Sequence, residues 1–196
     1  MKETEKKNSI HINFLGTSGS GKTTCACKLF CTLKVLGYNV EFTREYPAEC
    51  CVRGEFHKLY DQVGVLAEQY ARFKMYDGKF DIIVNDYSLI LPIVYAELQD
   101  RASTQKDGFK QLCLDKANEF NHINIFMNSD RNEQKDSSRN NDATYNDKIN
   151  DKTIEVIKRN NIKTAKYTWK EFEKMLVKLP KNDIKNLIKT IEKEGE

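Results

Sequence analysis

The chain has 196 residues with a net charge of +3, 39% hydrophobic and 31% charged, a composition that fills the core of one domain and is unlike that of a disordered chain. No apolar run reaches the ~18 residues that cross a bilayer, and the charged start Met1–Lys7 leads into no signal-type segment, so the expectation is a cytoplasmic protein with no membrane partner. A pI of about 8.4 is modest for a dedicated nucleic-acid binder, and six Cys without a Cys-x-x-Cys pair fit reduced thiols better than a disulfide framework or a zinc site.

Residues 9–15 alternate at Ile10, Ile12 and Phe14 and stop at Gly16, which predicts a strand. Residues 22–36 turn helical, with Ala26, Leu29, Phe30 and Leu33 on one face and Gly37 past the end. A second strand is expected over 39–43. Phe56, Leu59, Tyr60, Val63, Leu66, Tyr70 and Phe73 recur at helical spacing and predict one long helix that tolerates Gly64. Residues 80–85 read as a buried parallel strand ending at Asp86. Helices follow at about 89–98, bent by Pro92, and 107–120, then a strand over 123–127. The polar stretch 128–141 is expected to be a mobile loop. A helix over 144–160, a strand over 162–167 and two C-terminal helices separated by Pro180 complete the chain, the first of these opening on a Thr168–Glu171 capping box. Alternating strands and helices predict a single α/β domain over 1–196, with a parallel sheet of about five strands and helices on both faces.

Gly16-Thr17-Ser18-Gly19-Ser20-Gly21-Lys22-Thr23 matches G-x-x-x-x-G-K-[ST] in full and is followed by Thr24. Such glycines let successive backbone N–H groups converge on phosphate oxygens at a helix N-terminus. Lys22 would reach the β- and γ-phosphates of ATP, and the Thr23 hydroxyl would sit on Mg²⁺. The motif lies between a predicted strand and a predicted helix, as a phosphate-binding P-loop requires.

Three further places are weighed beside it. Asp86, at the tip of a buried strand, is placed for the metal's water shell or a substrate hydroxyl, against a simple turn-capping role. Arg44 and Glu45 follow the second strand on the side where open α/β sheets bind ligands, and Glu45 is the first candidate to orient an attacking hydroxyl. The alternative is an Arg–Glu surface pair worth under ~1 kcal/mol. Arg131 and Arg139 lie in the polar stretch and could neutralise a transferring phosphoryl group, although the residues alone favour a solvated loop.

Together these residues resemble the P-loop kinase-like ATPases related to ribosylnicotinamide kinase and, more distantly, to deoxynucleoside and thymidylate kinases, a group with many phage-encoded members. The resemblance covers about residues 10–167. It rests on the P-loop, Arg44-Glu45-Tyr46, Gln69 in the long helix, Asp86, and Arg131 with Arg139 ahead of a helix containing Asp147 and Asp151. It implies an ATP-dependent phosphotransferase fold whose mobile lid, about 128–143, carries Arg131 and Arg139. It also implies an acceptor site formed by Arg44, Glu45, Gln69, Asp86 and Tyr87. Tyr87 stands where these kinases tend to have Arg, and Ser138 precedes Arg139 where Gly is common, which weakens recognition of an acceptor phosphate. The expected function is transfer of the ATP γ-phosphate to a small nucleoside-like or nicotinamide-riboside-like acceptor. The alternatives are a partner-dependent ATPase or switch, and a kinase acting on a nucleic-acid end or modified base.

Cys25, Cys27 and Cys31 are expected to be small buried thiols filling a core. The lysines at 170, 174, 178, 181, 185, 189 and 193 step along the C-terminal helices, about 168–194. They read as a solvated face, with Trp169, Phe172, Leu176 and Leu179 inward and nucleic-acid contact the minority reading.

Overall fold

The computed structural model describes residues 8–99, 103–128 and 143–194. Five strands, β1 (Ile10–Leu15), β2 (Val40–Thr43), β3 (Ile82–Asn85), β4 (Asn121–Asn128) and β5 (Thr164–Thr168), form one sheet in the order β2-β3-β1-β4-β5. Every pairing is parallel. The helices are α1 (Lys22–Val35), α2 (Tyr46–Val52), α3 (Gln62–Tyr76), α4 (Leu91–Leu98), α5 (Ser103–Asn118), α6 (Ala143–Arg159), α7 (Trp169–Leu176) and α8 (Ile184–Lys193). No described helix is long and apolar enough to cross a membrane.

Both faces of the sheet are covered, each with its own apolar core. Ile12, Phe14, Val84, Ile125 and Tyr167 pack on one side with Leu29 and Leu33 of α1, Phe172 of α7 and Leu187 of α8. Leu15 and Phe126 pack on the other with residues of α3, α4, α5 and α6. Because both faces are dry, the polar alternates of β1 are buried as well: His11 and Asn13 do not face water. They are satisfied sideways instead. At one level of the register Thr43 Oγ1 donates to Asn85 Oδ1, Asn85 Nδ2 to Asn13 Oδ1 (2.8 Å), and Asn13 Nδ2 to Asn124 Oδ1 (3.2 Å), a polar rung across four strands. A buried amide left unpaired would cost about 1–3 kcal/mol, so each member holds its neighbour's register.

The structure departs from the sequence expectations at four places. The expected long helix is divided: Phe56–Tyr60 is a 3₁₀ turn, and Asp61 starts α3 by accepting from the Gly64 N–H at 3.1 Å. A Cβ at Gly64 would come within 2.8 Å of that capping carboxylate, which explains a glycine in the first turn. Second, α2 was not anticipated; Pro47 sits in its first turn, where no donor is needed. Third, Pro92 likewise opens α4 and bends nothing. Fourth, only Cys25 of the three α1 thiols is buried, while Cys27 and Cys31 are exposed. The expected lid falls almost wholly on residues 129–142, so Arg131 and Arg139 lie outside the described residues.

At the C-terminal end the capping box forms as the sequence predicts, with Glu171 N–H to Thr168 Oγ1 at 3.3 Å and Thr168 N–H to Glu171 Oε2 at 2.8 Å. Phe172 and Leu179 are buried, Trp169 and Leu176 partly so, and the seven stepping lysines are exposed.

Candidate active site

The parallel sheet brings the C-terminal ends of β1, β2 and β3 to one edge, and the motif residues follow those ends. After β1 the chain turns through Gly16 (φ +134°), Gly19 (+81°) and Gly21 (+88°), and α1 begins at Lys22. The first turn demands glycine most strictly: a Cβ on Gly16 would lie 2.7 Å from the Met127 carbonyl oxygen of the neighbouring β4. Within the loop Lys22 Nζ donates to the Thr17 carbonyl at 2.8 Å. The Thr17 and Ser20 hydroxyls are buried without a partner. Lys22 is thus held on the loop itself, and α1 adds the partial positive charge of its N-terminus. Trp169, opening α7, rests on the far side of the loop, its ring 3.7 Å from where a Cβ on Gly21 would be, and Lys28 covers that ring at 4.1 Å.

A cavity of about 720 Å³ opens from the loop. Gly16, Ser18, Gly19, Gly21, Lys22 and Thr23 line one end. Glu45 lines it too, as the residue capping α2, and beside it stand Pro47, Ala48 and Cys51. The remainder is built from the 3₁₀ turn (Phe56, Leu59, Tyr60), Gln62 and Val65 of α3, Tyr87 of the loop after β3, Leu91, Tyr95 and Leu98 of α4 with Gln99 behind it, and Tyr145, Asn146 and Ile149 of α6. Among the described lining residues the charged ones are Lys22 and Glu45.

Electrostatics place Glu45 beside this aromatic wall. Burial first, and then the Glu45 carboxylate, raise both the Tyr95 phenol and the Cys51 thiol above their ordinary range. Tyr87 is held well above the usual phenol value by burial, with Tyr95, Cys113 and Glu45 adding to it. Its hydroxyl is buried and has no hydrogen-bond partner, although the residue lines the cavity.

The other expected site residues take different positions. Asp86 directly follows β3, is buried, and donates its N–H to the Thr43 carbonyl at 3.0 Å, but it does not line the cavity. Burial and then the Asp86 carboxylate raise the Cys27 thiol of α1, while Arg44 lowers it. Cys27 lies one turn beyond Thr23 on α1. Arg44 is exposed and Thr24 points to solvent, both outside the cavity lining. Gln69, fully buried, also stays out of the cavity; its Oε1 accepts the Tyr46 N–H at 2.9 Å and so fixes the chain next to Glu45. The α4, α6 and 3₁₀ contributions had no motif to announce them, since apolar and aromatic residues at helical spacing read as core.

The AAA domain family matches residues 11–174, most of the chain. The chain belongs to that family. A search of curated proteins finds no match. Among solved structures the NadR protein in complex with NAD and AMP-PNP is similar, with a TM-score of 0.60 at 14% identity over 82% of this chain. This AAA domain protein spans only 44% of the NadR chain. Deoxyadenosine kinase from M. mycoides with bound dATP is similar over 94% of this chain and 98% of its own, with a TM-score of 0.52 and 18% identity. The same kinase with bound dCTP gives a TM-score of 0.51 at 18% identity. These likenesses show a common fold. With the P-loop they make this AAA domain protein a nucleotide-binding P-loop NTPase with a kinase-like architecture.

Proposed function

We propose that this protein is an ATP- and Mg²⁺-dependent kinase, one domain over 1–196, that phosphorylates a hydroxyl of a nucleoside-like or nicotinamide-riboside-like acceptor. The observation that carries the reading is continuity: a single cavity joins the P-loop to a pocket walled by tyrosines, with Glu45 along it. A slowly hydrolysing switch has no need of a second compartment large enough for a nucleoside. The similar solved structures bind NAD with an ATP analogue, or deoxynucleotides, which agrees with the proposal. Described cationic lining is confined to Lys22 at the loop end, which favours an acceptor without its own phosphate. We assign the reaction to the cytoplasm, where ATP is supplied and the six free thiols stay reduced.

In this reading the P-loop amides and Lys22 hold the β- and γ-phosphates, Lys22 leaving the Thr17 carbonyl to do so. Thr23 and Asp86 offer a hydroxyl and one carboxylate, both hard oxygen donors. That donor set suits Mg²⁺, which takes few protein ligands and completes its shell with water and phosphate. When bound, the ion neutralises charge developing on the phosphates. Glu45 accepts the proton of the acceptor hydroxyl as its oxygen attacks the γ-phosphorus and the bond to ADP breaks. Arg131 and Arg139 are assigned charge neutralisation on sequence grounds.

An ADP-release assay with MgATP, alone and against nucleosides, their monophosphates, nicotinamide riboside and oligonucleotides, tests the proposal. One nucleoside-type acceptor should raise turnover, Lys22→Met should abolish it, and Glu45→Gln should lower kcat by about 10²-fold or more. Uniform background across the panel refutes the kinase reading.

A further inference from the structure

Two glutamines in the cavity wall share one anchor. Gln62 Nε2 donates to the Leu59 carbonyl at 2.6 Å, and Gln99 Nε2 donates to the same oxygen at 3.1 Å. A carbonyl only accepts, so each amide must present nitrogen to Leu59; the flipped orientation would set oxygen against oxygen. The sense of both side chains is therefore decided by chemistry. Each Oε1 is buried and has no hydrogen-bond partner, and both residues line the cavity. Two buried acceptors in one wall are a deficit that the protein does not repair internally. The hydroxyl of Tyr87, also unpartnered and in the lining, is a donor in the same cavity.

We infer that Gln62 and Gln99 select an acceptor that presents N–H donors, an exocyclic amine or a carboxamide, and reject one that presents a carbonyl or carboxylate in the same place. The inference rests on the cavity being the acceptor site. A keto edge would face two oxygens and leave all of them unpaired, whereas an amino group supplies two protons to two acceptors. Neither oxygen reaches water in the empty cavity. Contact therefore requires each amide to pivot on the Leu59 carbonyl, a rotation that is soft for a terminal sp² group. The aromatic residues around them, Phe56, Tyr60 and Tyr95, give a flat ring its apolar contact.

The test compares near-isosteric pairs in the full-length protein: cytidine with uridine, adenosine with inosine (ribo and deoxy forms), and nicotinamide riboside with nicotinic acid riboside. Turnover and calorimetric binding are both read. The amine or carboxamide member of at least one pair should be favoured tenfold or more, the loss expected for an unsatisfied buried polar group. In Gln62→Leu and Gln99→Leu that ratio should fall towards one, beyond any common loss for both members, which a merely structural role would produce. Equal use of both members by the unmutated protein overturns the inference and leaves the kinase reading standing. A preference that survives both substitutions overturns the role of these residues. Selective binding of the amine without phosphorylation supports the inference and refutes the kinase reading. No binding of any pair refutes both.

Discussion

The Tyr46 N–H donates to Oε1 of Gln69 at 2.9 Å, tying the first residue of α2 to the middle of α3. Glu45 immediately precedes this bond, and its own side chain makes no cap contact with α2. The direction in which the carboxylate leaves the backbone is thus set from α3, through a glutamine that never touches the cavity. The bond is part-buried and neutral, and Arg72 reinforces it by stacking on the Tyr46 ring at 5.0 Å while pairing with Glu49 at 2.8 Å.

Replacing Gln69 by Leu keeps the volume and removes the acceptor. On the kinase reading, kcat should fall about 10- to 100-fold with KM for ATP unchanged, because displacing a catalytic group by ~1 Å costs about that much. Steady-state kinetics with ATP and acceptor varied separately would check it. A rise confined to the KM for ATP would contradict the positioning role.

Gly16→Ala should destabilise the fold as well as the nucleotide site. The position has φ +134° and its Cβ would stand 2.7 Å from the Met127 carbonyl oxygen, while β1 and β4 are paired in register and cannot separate locally. A loss of about 2–3 kcal/mol is expected from urea unfolding. Gly54, with no atom within 4 Å of an added Cβ but φ +71°, is the control; there only backbone strain applies and about 1 kcal/mol should be lost.

His11 makes stability depend on pH between about 4 and 6.5. Burial lowers its pKa from 6.5 to about 4, opposed by the hydrogen bond to Asp77. The neutral ring accepts from Asn85 at Nδ1 and donates to Asp77 from Nε2, both at 3.3 Å. Since the folded value lies below the unfolded one, the unfolded chain binds the extra proton throughout this window, and stability must fall as pH drops. The full effect is about 3 kcal/mol. Glu119, held at about 2 by Lys116, Tyr70 and Lys74, adds its own loss only below the ordinary carboxylate range. Urea titrations from pH 7 to pH 4.5 should show the decline, and His11→Gln should flatten it in that interval.

What could be read from the residues was local. The P-loop, its flanking strand and helix, and the α/β alternation are written in contiguous segments, where a feature such as the capping box at Thr168 depends on near neighbours. Asp86 and Glu45 were found because each ends a strand, and in a parallel sheet strand ends converge. The division of the expected helix at Asp61 was less visible, since a 3₁₀ turn and the helix after it share one apolar spacing, and only the cap separates them.

The tyrosine-lined end of the cavity was decided by tertiary packing alone. Leu59 sets two glutamines 37 positions apart on one carbonyl, while Tyr87, Tyr95 and Tyr145 line the same cavity from the loop after β3, from α4 and from α6. Nothing in the spacing of these residues separates a cavity wall from ordinary core, because burial selects the same side chains for both. Gln69 and the rung of Thr43, Asn85, Asn13 and Asn124 carry the same lesson for polar groups: their partners come from other strands and helices, so their roles exist only once the sheet has assembled.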